Sequence, residues 1–233
     1  DSIAGTFQRY ALPISWDFAE SVPINWSTGS FEGQLDWVAR YVEHALDATE
    51  VAPTPNVINE SAIELDLEGL DVVLTDPPYY DAIPYSDTMD FFYVWLRRTL
   101  SGLSPEIDAV FDKPLAPKWD HEAEDGELID DASRFEGDAD RSKAAYETGM
   151  RRAFEAAHGA LKPDGRLVVV FANKQPDAWE TLVSALIRAG YVVTASWPIQ
   201  TEMTVRTRAM SSAALASSVW LVCRKRPRTA RPG

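Results

Sequence analysis

Asp71-Val-Val-Leu-Thr-Asp-Pro-Pro-Tyr79 sets the reading of the whole chain. Its first five residues form an apolar run stopped by two prolines, which is how a buried parallel strand reads. Ser86 to Leu100 follows as a helix. Asp87 and Asp90 lie in its first turn and Arg97 and Arg98 in its last, the charge order a helix dipole prefers.

Working outward, the same alternation recurs. Leu35, Val38, Ala39, Val42 and Leu46 fall at helical spacing, and the proline-broken Val51-Ala-Pro-Thr-Pro-Asn56 ends that helix. Val57-Ile58 is a short strand candidate before the polar turn Asn59-Glu-Ser61. Tyr146, Met150, Ala153, Phe154, Ala157 and Leu161 share a helical face, closed by Lys162-Pro-Asp-Gly165, and Arg166 to Ala172 is a second buried strand. Pro176 opens a helix that carries Trp179, Leu182, Val183, Leu186 and Ile187 and stops at Gly190. Tyr191 to Pro198 and Ser217 to Arg224 are late strands. Strands alternating with helices predict an α/β sheet in three layers.

Composition narrows the classes. The 233 residues are 45% hydrophobic and 25% charged, which suits one folded domain rather than a disordered chain. No apolar run approaches the roughly 20 residues a membrane helix needs, so no membrane partner is expected and a cytoplasmic location is. A lone cysteine, Cys223, leaves no internal disulfide and too few thiols for a zinc ribbon. His44, His121 and His158 are dispersed, so no metal site is expected.

The net charge is −14, with 20 Asp among 36 acids and 16 Arg among 22 bases. That skew reads either as a salt-adapted surface or as an ordinary acidic protein, and it says little about nucleic-acid binding. Residues 101–140, acidic and rich in turn formers, read as a surface insertion. The basic zone comprises Arg206, Arg208 and a tail at 224–233, where phosphate contact and plain solvation are equally expected. The aromatic run Phe91-Phe-Tyr-Val-Trp95, apolar all round, reads as a packed helix rather than a stacking surface.

Chemistry concentrates at the end of the first strand, the edge of an α/β sheet where ligands bind. An exocyclic amine on a purine or pyrimidine is a poor nucleophile, because its lone pair is delocalised into the ring. A carboxylate at Asp76 and a free backbone carbonyl can both accept its hydrogen bonds and favour the pyramidal nitrogen that attacks a methyl group. Pro77 and Pro78 carry no N–H and fix φ, which stiffens the loop. Tyr79 offers a face on which a base can stack, a contact of roughly 1–3 kcal/mol. The alternative is a turn whose prolines merely stop the sheet.

Asp76-Pro-Pro-Tyr79 resembles the (D/N/S)PP(Y/F) motif of S-adenosylmethionine-dependent amino-methyltransferases that modify adenine N6 or cytosine N4 in DNA. The 23 residues from Thr75 to Arg97 resemble more closely the adenine-specific DNA methylases containing a zinc ribbon. Arg9 to Glu20 and Leu161 to Ala172 are similar to the same group. The resemblance implies a Rossmann-like methyltransferase sheet, S-adenosylmethionine as cofactor and DNA as partner, with the target base flipped out. It gives Asp76, Pro77, Pro78 and Tyr79 the catalytic positions. Tyr80 and Tyr85 would add substrate-binding aromatic surface. Asn59 and Ser61, with Asp76, would face the cofactor, although a plain turn at 59–61 is the simpler reading.

Two elements of that group are missing. No two of the 12 glycines are separated by a single residue, so no G-x-G loop exists to let backbone approach a cofactor, and the zinc ribbon is absent. Residues 1–233 therefore read as the C-terminal part of one catalytic domain, whose partner is the missing N-terminal part of the same protein. The sheet is expected to be incomplete, its first strands absent and the strand at 71–75 an exposed, association-prone edge. Cytosine N4 or an RNA amino group is the alternative target. A catalytically silent binding or assembly module that retains the loop is the alternative function.

Overall fold

In the computed structural model the described residues are 30–80, 84–112, 118–173, 175–199 and 218–227. The chain divides into two units, residues 1–58 and 59–233. The first contributes helix α1 (Phe31–Thr49), whose opening is capped by the Ser30 hydroxyl accepting from the Gly33 N–H at 3.1 Å.

The second unit carries a four-stranded sheet of β1 (Leu70–Thr75), β4 (Leu161–Phe171), β5 (Tyr191–Ile199) and β6 (Ser218–Lys225), in the order β1-β4-β6-β5. β1 and β4 are parallel, with Val73 opposite Leu167 and Thr75 opposite Val169. β6 runs antiparallel to both β4 and β5, between which it lies. Two helices, α4 (Ala139–Ala160) and α5 (Pro176–Arg188), pack on each other and on this sheet. The α/β class read from the sequence holds.

Alternation explains the core. Leu167, Val169 and Phe171 project to one side of β4 and are fully buried with Leu182 and Leu186 of α5 and Met150 and Phe154 of α4. The intervening Val168 and Val170 are only half-buried. The helical layer seen among the described residues therefore covers one face of the sheet. α5 starts with Pro176 in its first turn and stops where Gly190 takes φ +86°, a conformation that costs glycine nothing.

Among the described strands β1 lies at the sheet edge, with Val72 and Leu74 57% and 59% exposed. No strand forms at Val57-Ile58, which has no regular structure and no ladder partner among the described residues. Two apolar residues flanked by proline and a polar turn do not bring enough surface to hold a ladder.

The surface insertion read at 101–140 is ordered over its described residues. It folds into α3 (Pro105–Phe111), a short β2–β3 hairpin (Trp119–Asp120 and Asp125–Gly126) and a 3-10 turn at Ala132–Phe135 that packs on α4. Phe111, Ile129 and Phe135 are buried there. The hairpin needs glycine at 126, because a Cβ would stand 2.5 Å from the Lys118 carbonyl oxygen. Helix α2 (Tyr85–Leu100) forms as read but buries none of its residues, so Phe91 to Trp95 are not core. Its apolarity states a need for cover, while its contacts among the described elements are chiefly with α3. No helix among the described residues is long and apolar enough to cross a membrane.

Candidate amine-binding site

Asp76 directly follows β1, and Ala172-Asn173 directly follow the parallel strand β4, so both segments emerge at the carboxyl edge of the sheet. Asp76 is exposed, Pro77 buried, and Pro78 and Tyr79 half-buried. The Tyr79 ring meets Phe171 edge-on at 5.7 Å, and Phe171 in turn meets Trp179 at 5.0 Å. A core phenylalanine thus sets the attitude of the proposed stacking ring.

The loop's carbonyls divide into two groups. Pro78's accepts from the Tyr146 hydroxyl at 3.1 Å and from the Tyr80 N–H at 3.0 Å. Tyr79's accepts from the Asn173 side-chain amide at 3.3 Å, and Tyr80's from the Asp130 N–H at 3.2 Å. Among the described residues neither the Asp76 carboxylate nor the Pro77 carbonyl has such a partner. Two adjacent acceptors are thus without a partner among the described residues, while the next three carbonyls are spent. A ligand amine with two N–H donors matches that pair.

Tyr85, at the start of α2, stands in the field of Asp76. Its phenol is raised above the ordinary tyrosine value by burial first, then by the Asp76 carboxylate, then by Glu127. Asp76→Asn is therefore expected to bring the Tyr85 phenol part of the way back down. An ultraviolet difference titration against a Tyr85→Phe reference measures it, and an unmoved titration would separate the two groups.

Tyr80 lies elsewhere than expected. Its ring is buried and meets Tyr146 edge-on at 5.2 Å, because φ of +59° turns the side chain back into the core. It supports the loop from beneath rather than adding exposed aromatic surface. Asn59 is exposed in unpaired backbone, and Ser61 opens a turn in which its carbonyl accepts from the Glu64 N–H at 3.1 Å. The hydrogen-bonded turn thus runs from Ser61 to Glu64, one step beyond the stretch 59–61.

Several residues that shape the loop escaped the sequence reading. Tyr146 was read only as part of an apolar face, although a tyrosine there has to place its hydroxyl on a partner. Asn173 also accepts from the Gln175 N–H at 2.8 Å, while its own carbonyl accepts from the Trp179 indole at 2.8 Å, so it ties the end of β4 to α5 and to the loop. Its only signal was its position just past a buried strand.

Of the basic zone, Lys225 donates to the Leu161 carbonyl at 2.5 Å and Arg226 to the Ile187 carbonyl at 3.1 Å, so both cap backbone. Arg206, Arg208, Arg228 and Arg231 lie outside the described residues. A groove of about 640 Å³ opens between α4 and the β2–β3 hairpin, lined by residues that include Trp119, Phe135, Arg141 and Arg152, and no residue of the motif lines it. Among the described residues no His, Cys, Asp and Glu cluster could hold a metal.

Among the described residues no turn of the glycine-rich kind that would cradle S-adenosylmethionine is present. β1 closes the described sheet on the side where further strands are expected, and the sequence offers no G-x-G turn. No protein-family model and no curated protein sequence matches the chain. Among solved structures it is similar to the mitomycin 7-O-methyltransferase MmcR, at 12% identity and a TM-score of 0.32, over 81% of this chain and 39% of that one.

Proposed function

We propose that the chain positions an exocyclic amino group of a DNA base, adenine N6 first, for transfer of a methyl group from S-adenosylmethionine. The observation that carries this reading is the acceptor pair at Asp76 and Pro77, set in a loop whose following carbonyls are occupied. Asp76 and the Pro77 carbonyl accept the two N–H bonds of the amine and hold its nitrogen away from ring conjugation. Tyr79, braced on Phe171, stacks on the extruded base, and Tyr85 lies within the field of the Asp76 carboxylate. Orientation of this kind is the chain's contribution to rate.

S-adenosylmethionine would supply the electrophilic methyl group. A second reading, a silent module that binds a base without methylating it, is favoured by the absence of a glycine loop.

Incubation with labelled S-adenosylmethionine over a wide concentration range and with DNA, followed by mass spectrometry of the nucleosides, tests the proposal. N6-methyladenine is the expected product. N4-methylcytosine would move the target base, and base binding without transfer would establish the silent module. Neither binding nor transfer would overturn both readings.

A further inference from the structure

The acidic segment reaches both ends of the motif loop. Before the loop leaves the described residues, the Asp130 N–H donates to the Tyr80 carbonyl at 3.2 Å, and Asp130 is itself held by the Ser142 hydroxyl at 2.5 Å. At the start of α2, Glu127 accepts from the Ser86 N–H at 3.0 Å and from its hydroxyl at 2.5 Å. Arg134 bonds the same carboxylate at 2.7 Å, and the two side chains are only 8% and 11% exposed. Lys118 pairs with Asp87 and Asp90, which ties α2 to the base of the hairpin. Tyr146 then reaches the loop from α4 through the Pro78 carbonyl.

These bonds hold a conformation the backbone does not favour. Tyr80 sits in the left-handed region at φ +59°, which a residue with a Cβ rarely adopts. Such backbone persists only where its surroundings over-determine it. Here the surroundings are the Tyr146 ring against Tyr80, the Tyr146 hydroxyl on Pro78 and the Asp130 amide on the Tyr80 carbonyl. Charge-assisted bonds between buried groups are the strong kind, and Arg134 also reaches Asp131 at 3.4 Å and Asp87 at 3.7 Å.

We infer that residues 127–134 and Tyr146 form a clamp that positions the motif loop, with Tyr146 and Glu127 as positioning residues for the amine acceptors. This rests on the proposed reading of Asp76 and Pro77 as those acceptors. Neither residue touches the reacting atoms. Tyr146 occupies the Pro78 carbonyl and so leaves the one before it as the acceptor, while Glu127 fixes where α2, and with it Tyr85, begins. The acidity of this segment thus serves the site and not only the solvent.

Tyr146→Phe and Glu127→Gln test it by hydrogen exchange, read at Tyr79, Tyr80 and Ser86 and at the β4 amides as an internal reference. Exchange at the loop is expected to quicken about tenfold or more while β4 is unchanged, the signature of local rather than global opening. In methyl transfer, kcat is expected to fall by roughly 10–100-fold with KM for DNA nearly constant, since misplacement rather than lost binding is the defect. Loop exchange equal to wild type, or quickened equally in β4, overturns the clamp. Quickened loop exchange in a protein that methylates nothing even as wild type upholds the clamp and overturns the methyl-transfer reading instead.

Discussion

Asp76→Ala is expected to lower methyl transfer by roughly 10²–10³-fold, the loss usual when one preorganised hydrogen-bonding group is removed from a reacting centre. The same substitution should leave stability within about 0.5 kcal/mol, because the carboxylate is exposed and no partner among the described residues depends on it. Side-by-side thermal melts and initial rates separate these effects. A rate within a factor of about two of wild type would remove Asp76 from the chemistry. Asp76→Asn should retain more activity than Ala, since an amide oxygen still accepts a hydrogen bond, and its shortfall measures what the charge adds.

Phe171→Ala is expected to cost about 3–5 kcal/mol, which for a unit of this size is a Tm fall of roughly 6–20 °C. Phe171 is fully buried between the Tyr79 and Trp179 rings at the carboxyl end of β4. Its removal opens a cavity where sheet, α5 and motif loop meet, and the surrounding rings cannot all collapse into it. The site should suffer beyond the loss of fold: below the new Tm, Tyr79 loses the edge that braces it, and base stacking should weaken as well. Calorimetry and base binding at low temperature measure both. A Tm fall under about 2 °C would show that the ring triad is loosely packed.

How far the sequence could be read depended on whether the deciding interactions were local. β1 and the motif were legible because an apolar run, two prolines and a helix signal lie within thirty residues of one another. The start and end of α5 were legible from Pro176 and Gly190 alone, since each acts through its own φ. The clamp was not legible. Ser86 and Glu127 are 41 residues apart, and Tyr146 and Pro78 are 68 apart, with no periodicity to connect them. An acid bound to a serine reads the same in sequence as an acid facing water.

Helix α2 failed for a related reason. All-round apolarity was read as burial, yet burial depends on what else is present, and among the described elements little covers it. Tyr80 shows the finest grain of the problem. Its place beside Tyr79 reads as that of a second stacking ring, but one left-handed φ sends it into the core. The acceptor function of Asp76 and Pro77 was legible as chemistry; the reason those two groups are the available ones appears only with the donors that occupy Pro78, Tyr79 and Tyr80.

The acceptor pair can be tested without any cofactor. Nuclear magnetic resonance titration of the chain with 9-ethyladenine, and separately with its N6,N6-dimethyl derivative, compares two stacking rings of which only one can donate N–H bonds. 9-Ethyladenine is expected to shift the resonances of Asp76 and Tyr79, the dimethyl derivative to bind at least about tenfold more weakly, a difference of some 1.4 kcal/mol, and Asp76→Ala to abolish the difference. Equal binding of the two bases, or no shift with either, would contradict the acceptor assignment.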